Sequence, residues 1–171
     1  MLTFVAGSSS DVFTGDFAEA VEGELRKRYG FESAKLEDPY RSEPVNGAGW
    51  RDLQNLSKSM LGDAATPHLT GIDAYQAVYV PVPLAKVEQI RIANAADPLQ
   101  VGSLTALIDH LTQFAARASL PTDDVQLMGL AAHYLEDDSS FEKELDVQVY
   151  VQLMLSAKQA VARKQALWIV V

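Results

Sequence analysis

The stretch from Leu145 to Val171 constrains the fold more than any other. At 100° per residue, Val147, Val149, Val151, Leu153, Met154, Leu155, Ala157, Ala160, Val161 and Ala162 cover most of the circumference of a helix. Gln148, Gln152, Ser156, Gln159 and Arg163 leave only a narrow polar stripe. A helix so apolar is covered on most sides and runs through the middle of a domain. Ala166-Leu167-Trp168-Ile169-Val170-Val171 follows, a β-branched and aromatic run that reads as a buried strand.

A strand buried at that point needs partners from earlier in the chain. Leu2 to Ala6 reads as one, broken by Gly7-Ser8-Ser9-Ser10. Ala74 to Val80 reads as another, closed by Pro81 and Pro83. Leu84 to Ala93 fits strand and helix, and is read as a strand. Helices are expected from about Asp16 to Tyr29, stopped by Gly30, and from Trp50 to Leu61 on the spacing Trp50, Leu53, Leu56, Met60. Phe31 to Gly49 reads as a long loop with room for a short strand, and Gly62 to Gly71 as a loop again.

Ser103 is an N-cap for a helix from Leu104 to about Ala118. Thr122 is expected to cap the next, with Val125, Met128, Leu130 or Ala131, and Leu135 turned inward. Ser139 and Glu142 match a capping box for the long helix. The expected fold is therefore α+β: a small mixed or antiparallel sheet that includes the N- and C-terminal strands, covered by about five helices, with the long apolar helix near the C-terminus. A compositional shift near Pro98 would divide the chain, but the last strand would need partners from the first half. Residues 1–171 are read as one globular domain.

The balance of charge limits the partners. With 23 acidic and 14 basic residues the formal net charge is −9. That argues against nucleic acid and against an anionic membrane surface, both of which call for a basic footprint. Cysteine is absent, which removes disulfides, thiolate zinc sites and a Cys nucleophile. The first residues lack a basic leader and no stretch reaches the length of a membrane span, so a cytoplasmic location is expected.

Chemistry-bearing patterns are sparse. Gly7, Ser8, Ser9, Ser10 and Asp11 form a loop between a strand and a helix, and such a loop can cradle a phosphate, with Arg41 as a further anion contact. It lacks the lysine and spacing of a P-loop and the three glycines of a dinucleotide fingerprint. The stretch is similar to the Gly-Ser-x-Ser-Asp loop of the purine-pathway aminoimidazole ribonucleotide carboxylase and mutase family. Arg41 and Leu69-Thr70-Gly71-Ile72-Asp73 follow in a comparable order. The likeness covers a small part of the chain. That family places Ala-His before its arginine where this chain has Pro39-Tyr40, and its second histidine loop and repeating parallel strands have no counterpart here. The other account of the loop is a Ser-rich turn that helps to cap the first helix.

His68, His110 and His133 are the only histidines; the first falls in a loop, the others on successive helices without metal-ligand spacing. Lys158 stands on the long helix away from the glutamine stripe. It fits an amine of lowered pKa or, more ordinarily, a snorkelling stem paired with a carboxylate. Glu136, Asp137, Asp138 and Glu142 belong to the densest acidic stretch, a solvated face or the contact for a basic partner. No Gly-x-Ser-x-Gly elbow is present and no lactamase-type set can be assembled. The sequence thus reads as a non-catalytic acidic domain that binds another protein through Glu136, Asp137, Asp138 and Glu142, with toxin neutralisation as one such role. The partner is expected to carry a basic surface, or to be a second copy of the chain. No metal and no cofactor is expected. The alternative is a small enzyme or phosphate binder using the Gly7–Asp11 loop and Arg41.

Overall fold

A computed structural model describes residues 1–33, 38–137 and 143–171. Its strands are β1 (Thr3–Gly7), β2 (Tyr40–Arg41), β3 (Ala77–Val80), β4 (Glu88–Ile90), β5 (Leu99–Ser103) and β6 (Ala166–Val170). Its helices are α1 (Gly15–Tyr29), α2 (Ala48–Leu61), α3 (Pro67–Thr70), α4 (Leu104–Ala118), α5 (Asp124–Glu136) and α6 (Leu145–Arg163). A single 3-10 turn, Ser9–Asp11, follows β1.

The strands form one mixed sheet in the order β2-β1-β6-β3-β5-β4. Only β3 and β5 are parallel; every other neighbouring pair is antiparallel. The N- and C-terminal strands pair along their whole length, from Thr3 opposite Val170 to Gly7 opposite Ala166. On its other edge β6 pairs with β3, Val78 opposite Trp168. The fold is thus the expected α+β arrangement, with β5 and α3 beyond the elements the sequence revealed and β2 as the short strand for which the 31–49 loop left room.

Alternation along the strands divides the apolar residues between two faces. Phe4, Ala6, Tyr79, Leu167 and Ile169 point to a face covered by α2, α4 and α6, with α5 outside α6; this is the helical face. Val5, Val78, Val80, Val101 and Trp168 point to the other, covered by α1 and by Phe31, Ile92 and their neighbours in long connections; this is the thin face. Val149, Tyr150, Leu153, Met154 and Ala157 of α6 are fully buried, which places that helix in the core as its sequence implied. Its polar stripe is not a wet side: Gln148, Gln152 and Ser156 are buried too. Ser156 Oγ donates to the Gln152 carbonyl (2.6 Å) and Gln148 Nε2 to the Lys143 carbonyl (2.8 Å). The exposed side of the last turn is instead Val161 and Ala162.

Two helices approach closely where α2 has no side chain. A Cβ on Gly49 would press on the Leu145 carbonyl oxygen and lie 2.8 Å from Val149 Cγ2. Glycine there lets the first turn of α2 rest on the first turn of α6.

The sequence-based boundaries need several corrections. The 62–71 segment is not all loop: Thr66 and Pro67 start the short α3, because Pro67 at the first helical position forfeits no hydrogen bond. The third strand begins at Ala77 rather than Ala74. Leu84 to Ala93 does contain a strand, though only over Glu88–Ile90. β5 was not expected at all. Its alternate residues Gln100 and Gly102 dilute the apolar signal, and Gly102 is required because a Cβ would sit 2.6 Å from the Tyr79 ring. The cap of α5 is Asp123, whose Oδ1 accepts from the amides of Val125 (3.0 Å) and Gln126 (3.1 Å), not Thr122. Ser139 and Glu142, the expected capping box, lie outside the described residues; α6 starts after Glu144, which has φ 50°.

Candidate functional site

The Ser-rich loop and Arg41 do come together. β2 lies against β1 with Arg41 opposite Val5, and Arg41 Nη2 donates to the Asp11 carbonyl (2.8 Å). The donors of the loop, however, turn onto its own carboxylate. Asp11 Oδ2 accepts from the Ser8 amide (2.7 Å) and the Ser8 hydroxyl (2.9 Å). Ser10 Oγ lies 2.9 Å from Ser8 Oγ, and Ser9 Oγ contacts the Ala18 carbonyl (3.0 Å) and Glu22 Oε2 (2.9 Å). Gly7 has no room for a side chain, since a Cβ would stand 2.6 Å from Asp11 Oδ2. An anion could enter only by displacing Asp11, against the charge of Asp11 itself. This geometry is that of a turn holding the start of α1.

The histidines separate into a pair and a single residue. His68, buried on α3, and His110, on α4, have ring centroids 5.7 Å apart, while His133 is exposed beside Tyr134. Both nitrogens of His68 are engaged. The Leu84 carbonyl only accepts, so His68 Nε2 carries the proton and donates to it (2.9 Å); Nδ1 then accepts from the Ser103 amide (3.0 Å). Burial holds the His68 pKa below its ordinary value, opposed by the bond to Leu84. Burial, and then the neighbouring His68, lower that of His110, opposed by Asp109. His68 is therefore a neutral ring joining α3 to the start of α4, with neither nitrogen left for acid–base work. Among the described residues, no group of three or more His, Cys, Asp or Glu side chains is gathered as a metal would need.

Lys158 pairs with Asp124 (2.6 Å) and donates to the Thr122 carbonyl, tying α6 to the start of α5. That is the ordinary role of such a side chain. Among the described residues, no helix is long and apolar enough to cross a membrane.

The informative surface is α5, which the sequence placed with one face in the core. Only Leu127 is fully buried. Val125, Met128 and Leu135, expected inside, are 72%, 55% and 57% exposed. On a helical wheel these three and Ala132 fall within one arc of about 80°. The inward arc is carried by Leu127, Leu130, Ala131 and Tyr134. Two apolar arcs instead of one were present in the sequence and were the signal for an outward face. Glu136 and Asp137 stand exposed at the C-terminal end of the helix, and Asp123 and Asp124 at its start. Asp138 and Glu142, the other two acidic residues expected to meet a partner, lie outside the described residues.

Beside this arc opens a cavity of about 240 Å³, lined by Met1, Val45, Ala131, Leu135 and Val151, with Gln148 and Gln152 among its polar contacts. Leu135 belongs to both the arc and the cavity wall, so the two are continuous. Among the described residues, this region offers apolar area, shape and acidic ends. No protein-family model matches the chain, and neither a curated protein nor a solved structure matches it.

Proposed function

We propose that this chain is a non-catalytic protein-binding module whose partner presents a basic, amphipathic segment to the outward face of α5. The observation that carries the reading is the exposure of Val125, Met128 and Leu135 along one line of one helix. Ten residues at 1.5 Å each make that line about 15 Å long, the reach of three turns of a docked helix. Large apolar side chains exposed singly need no explanation, but a continuous row beside an apolar cavity does. The cavity supplies a recess for one anchor side chain of the partner, next to Leu135.

The acidic ends choose the partner. Glu136 and Asp137 at one end and Asp123 at the other would attract lysine or arginine flanking the partner's apolar residues, on a chain whose net charge is −9. A second copy docked through the same face would bring acid against acid in either helix direction, which favours a different, basic chain. In this reading Glu136 and Asp137 form the acidic rim of a contact whose centre is apolar.

The test is affinity capture from the native host at low and high salt, with the wild type and Met128→Glu side by side. A basic protein held by the wild type, weakened by salt and lost with Met128→Glu, supports the reading. Capture that is indifferent to Met128→Glu would refute it, as would the absence of any partner at either salt. Self-association lost on the same substitution would make the occupant a second copy.

A further inference from the structure

Away from α5, where the parallel strands β3 and β5 begin, the first turn of α2 and the 70–75 segment enclose an open cleft of about 740 Å³. That is the size of an ordinary small-molecule site. Its apolar lining includes Leu2, Trp50 and Ile72, buried residues whose edges reach the cleft, and Tyr75 stands at the rim, 55% exposed.

One wall is held with unusual care. Gln54 Nε2 donates to the carbonyls of Leu69 (2.9 Å) and Ile72 (2.7 Å), and Trp50 Nε1 reaches the latter at 3.4 Å. From the sheet, Gln100 Oε1 accepts from the Asp73 amide (2.8 Å), while its Nε2 donates to the Tyr75 carbonyl (2.8 Å) and reaches that of Asp73 (3.4 Å). Gln76, next in the chain, is held at φ 49°, in the left-handed region that a side chain other than Gly, Asn or Asp seldom adopts. Two glutamine amides thus fix the backbone on either side of Asp73 and leave its carboxylate unused.

Arg51 lines the same cleft from α2. Among the described residues, neither the Arg51 guanidinium nor the Asp73 carboxylate has a hydrogen bond or an ion pair, with each other or with any other group. An unpaired cation and an unpaired anion on the lining of one cleft give it no net preference for a simple anion or a simple cation, since what one attracts the other repels. They suit a molecule that carries both charges. We infer that this cleft binds a free α-amino acid with an apolar or aromatic side chain, its carboxylate on Arg51, its ammonium on Asp73 and its side chain against Trp50, Ile72 and Tyr75. Planar guanidinium is the matching partner for a carboxylate, and its charge-assisted hydrogen bonds supply the strongest single contact.

The experiment is an amide NMR titration of the full chain with L-phenylalanine and L-leucine, alongside 3-phenylpropionate, which lacks the ammonium, and phenethylamine, which lacks the carboxylate. The expected result is saturable movement of the signals of Arg51 and residues 71–75 at millimolar or lower concentrations of an amino acid, with each single-charge analogue at least about tenfold weaker. Arg51→Gln and Asp73→Asn, both at exposed and unpaired side chains, should each weaken binding by about tenfold while leaving the dispersed spectrum intact. Equal binding by the analogues, wild-type binding by both variants, or no movement of these signals at about 10 mM amino acid would each overturn the inference.

Discussion

On one face of the sheet Phe4, Tyr79, Leu167 and Ile169 meet three helices; on the other Val5, Val78, Val80 and Trp168 meet one helix and the flanks of long connections. The helical face interlocks side chains on elements that themselves pack together, α2 on α6 and α4 on α6. The thin face is closed by Val21 and Leu25 of α1, by Phe13 edge-on to Trp168 with ring centroids 5.6 Å apart, and by loop residues such as Phe31 and Ile92. A loop can follow a shrinking side chain more readily than a crossed pair of helices can. The two faces should therefore answer the same substitution differently, even where burial is equally complete.

Leu153 on α6 and Leu25 on α1 are both fully buried. Leu153→Ala should cost about 4 kcal/mol, near the upper part of the range for leucine truncation, and Leu25→Ala about 2–3 kcal/mol, because the cover over Leu25 can settle into the space. Urea unfolding midpoints would show the order, and a reversal would break the comparison. Glycine sharpens it. Gly49→Ala, forced onto the Leu145 carbonyl and Val149, should destabilise by about 2 kcal/mol. Gly23→Ala on α1, where a Cβ meets nothing within 4 Å, should stabilise by about 0.5–1 kcal/mol through helix propensity alone.

Acid should act through the helical side, where His68 joins α3 to α4. Its folded pKa lies below the ordinary 6.5 because burial disfavours the charged ring. The unfolded chain then takes up the proton first, so the contribution of His68 to stability is constant above about 6.5 and is lost as the pH drops below it. His68→Gln should make that fall shallower; equal slopes in the wild type and the variant would sink the assignment. The smallest effect should come from Lys158→Met. Asp124 is 63% exposed, and an ion pair so open to water is worth about 0.5 kcal/mol or less, a difference seen only by careful thermal melts.

How much of this was legible in the sequence follows from periodicity. α6 and β6 stood out because their apolar residues outnumber any alternative arrangement, and the pairing of β6 with earlier strands followed from its need for cover. β5 escaped because Gln100 and Gly102 serve neighbours that the sequence does not show, the 73–75 backbone and the Tyr79 ring. α5 was recognised as a helix but turned the wrong way: Val125, Met128 and Leu135 share as good an apolar arc as the residues that are in fact inside. Hydropathy says that an arc is apolar and not what covers it. The Ser-rich loop shows the opposite limit, since the pattern around Gly7 named the right donors and only the structure shows them satisfied by Asp11. Arg51 carried no local signal, and Asp73 entered only as the last residue of the 69–73 stretch in the family likeness; 22 positions apart, the two meet one cleft only through the fold.

The position of β6 between β1 and β3 has a consequence for how the protein is made. Without it the sheet falls into two unconnected ribbons, β2-β1 and β3-β5-β4, and β6 is the last of the six strands to leave the ribosome. At about 5–20 residues per second, β1 waits roughly ten to thirty seconds for the strand that will lie beside it. Throughout that interval its free edge is exposed to other nascent chains. Slower synthesis, or the loss of a chaperone that shields β1 in the meantime, should therefore lower the yield of this protein without any change in its final stability.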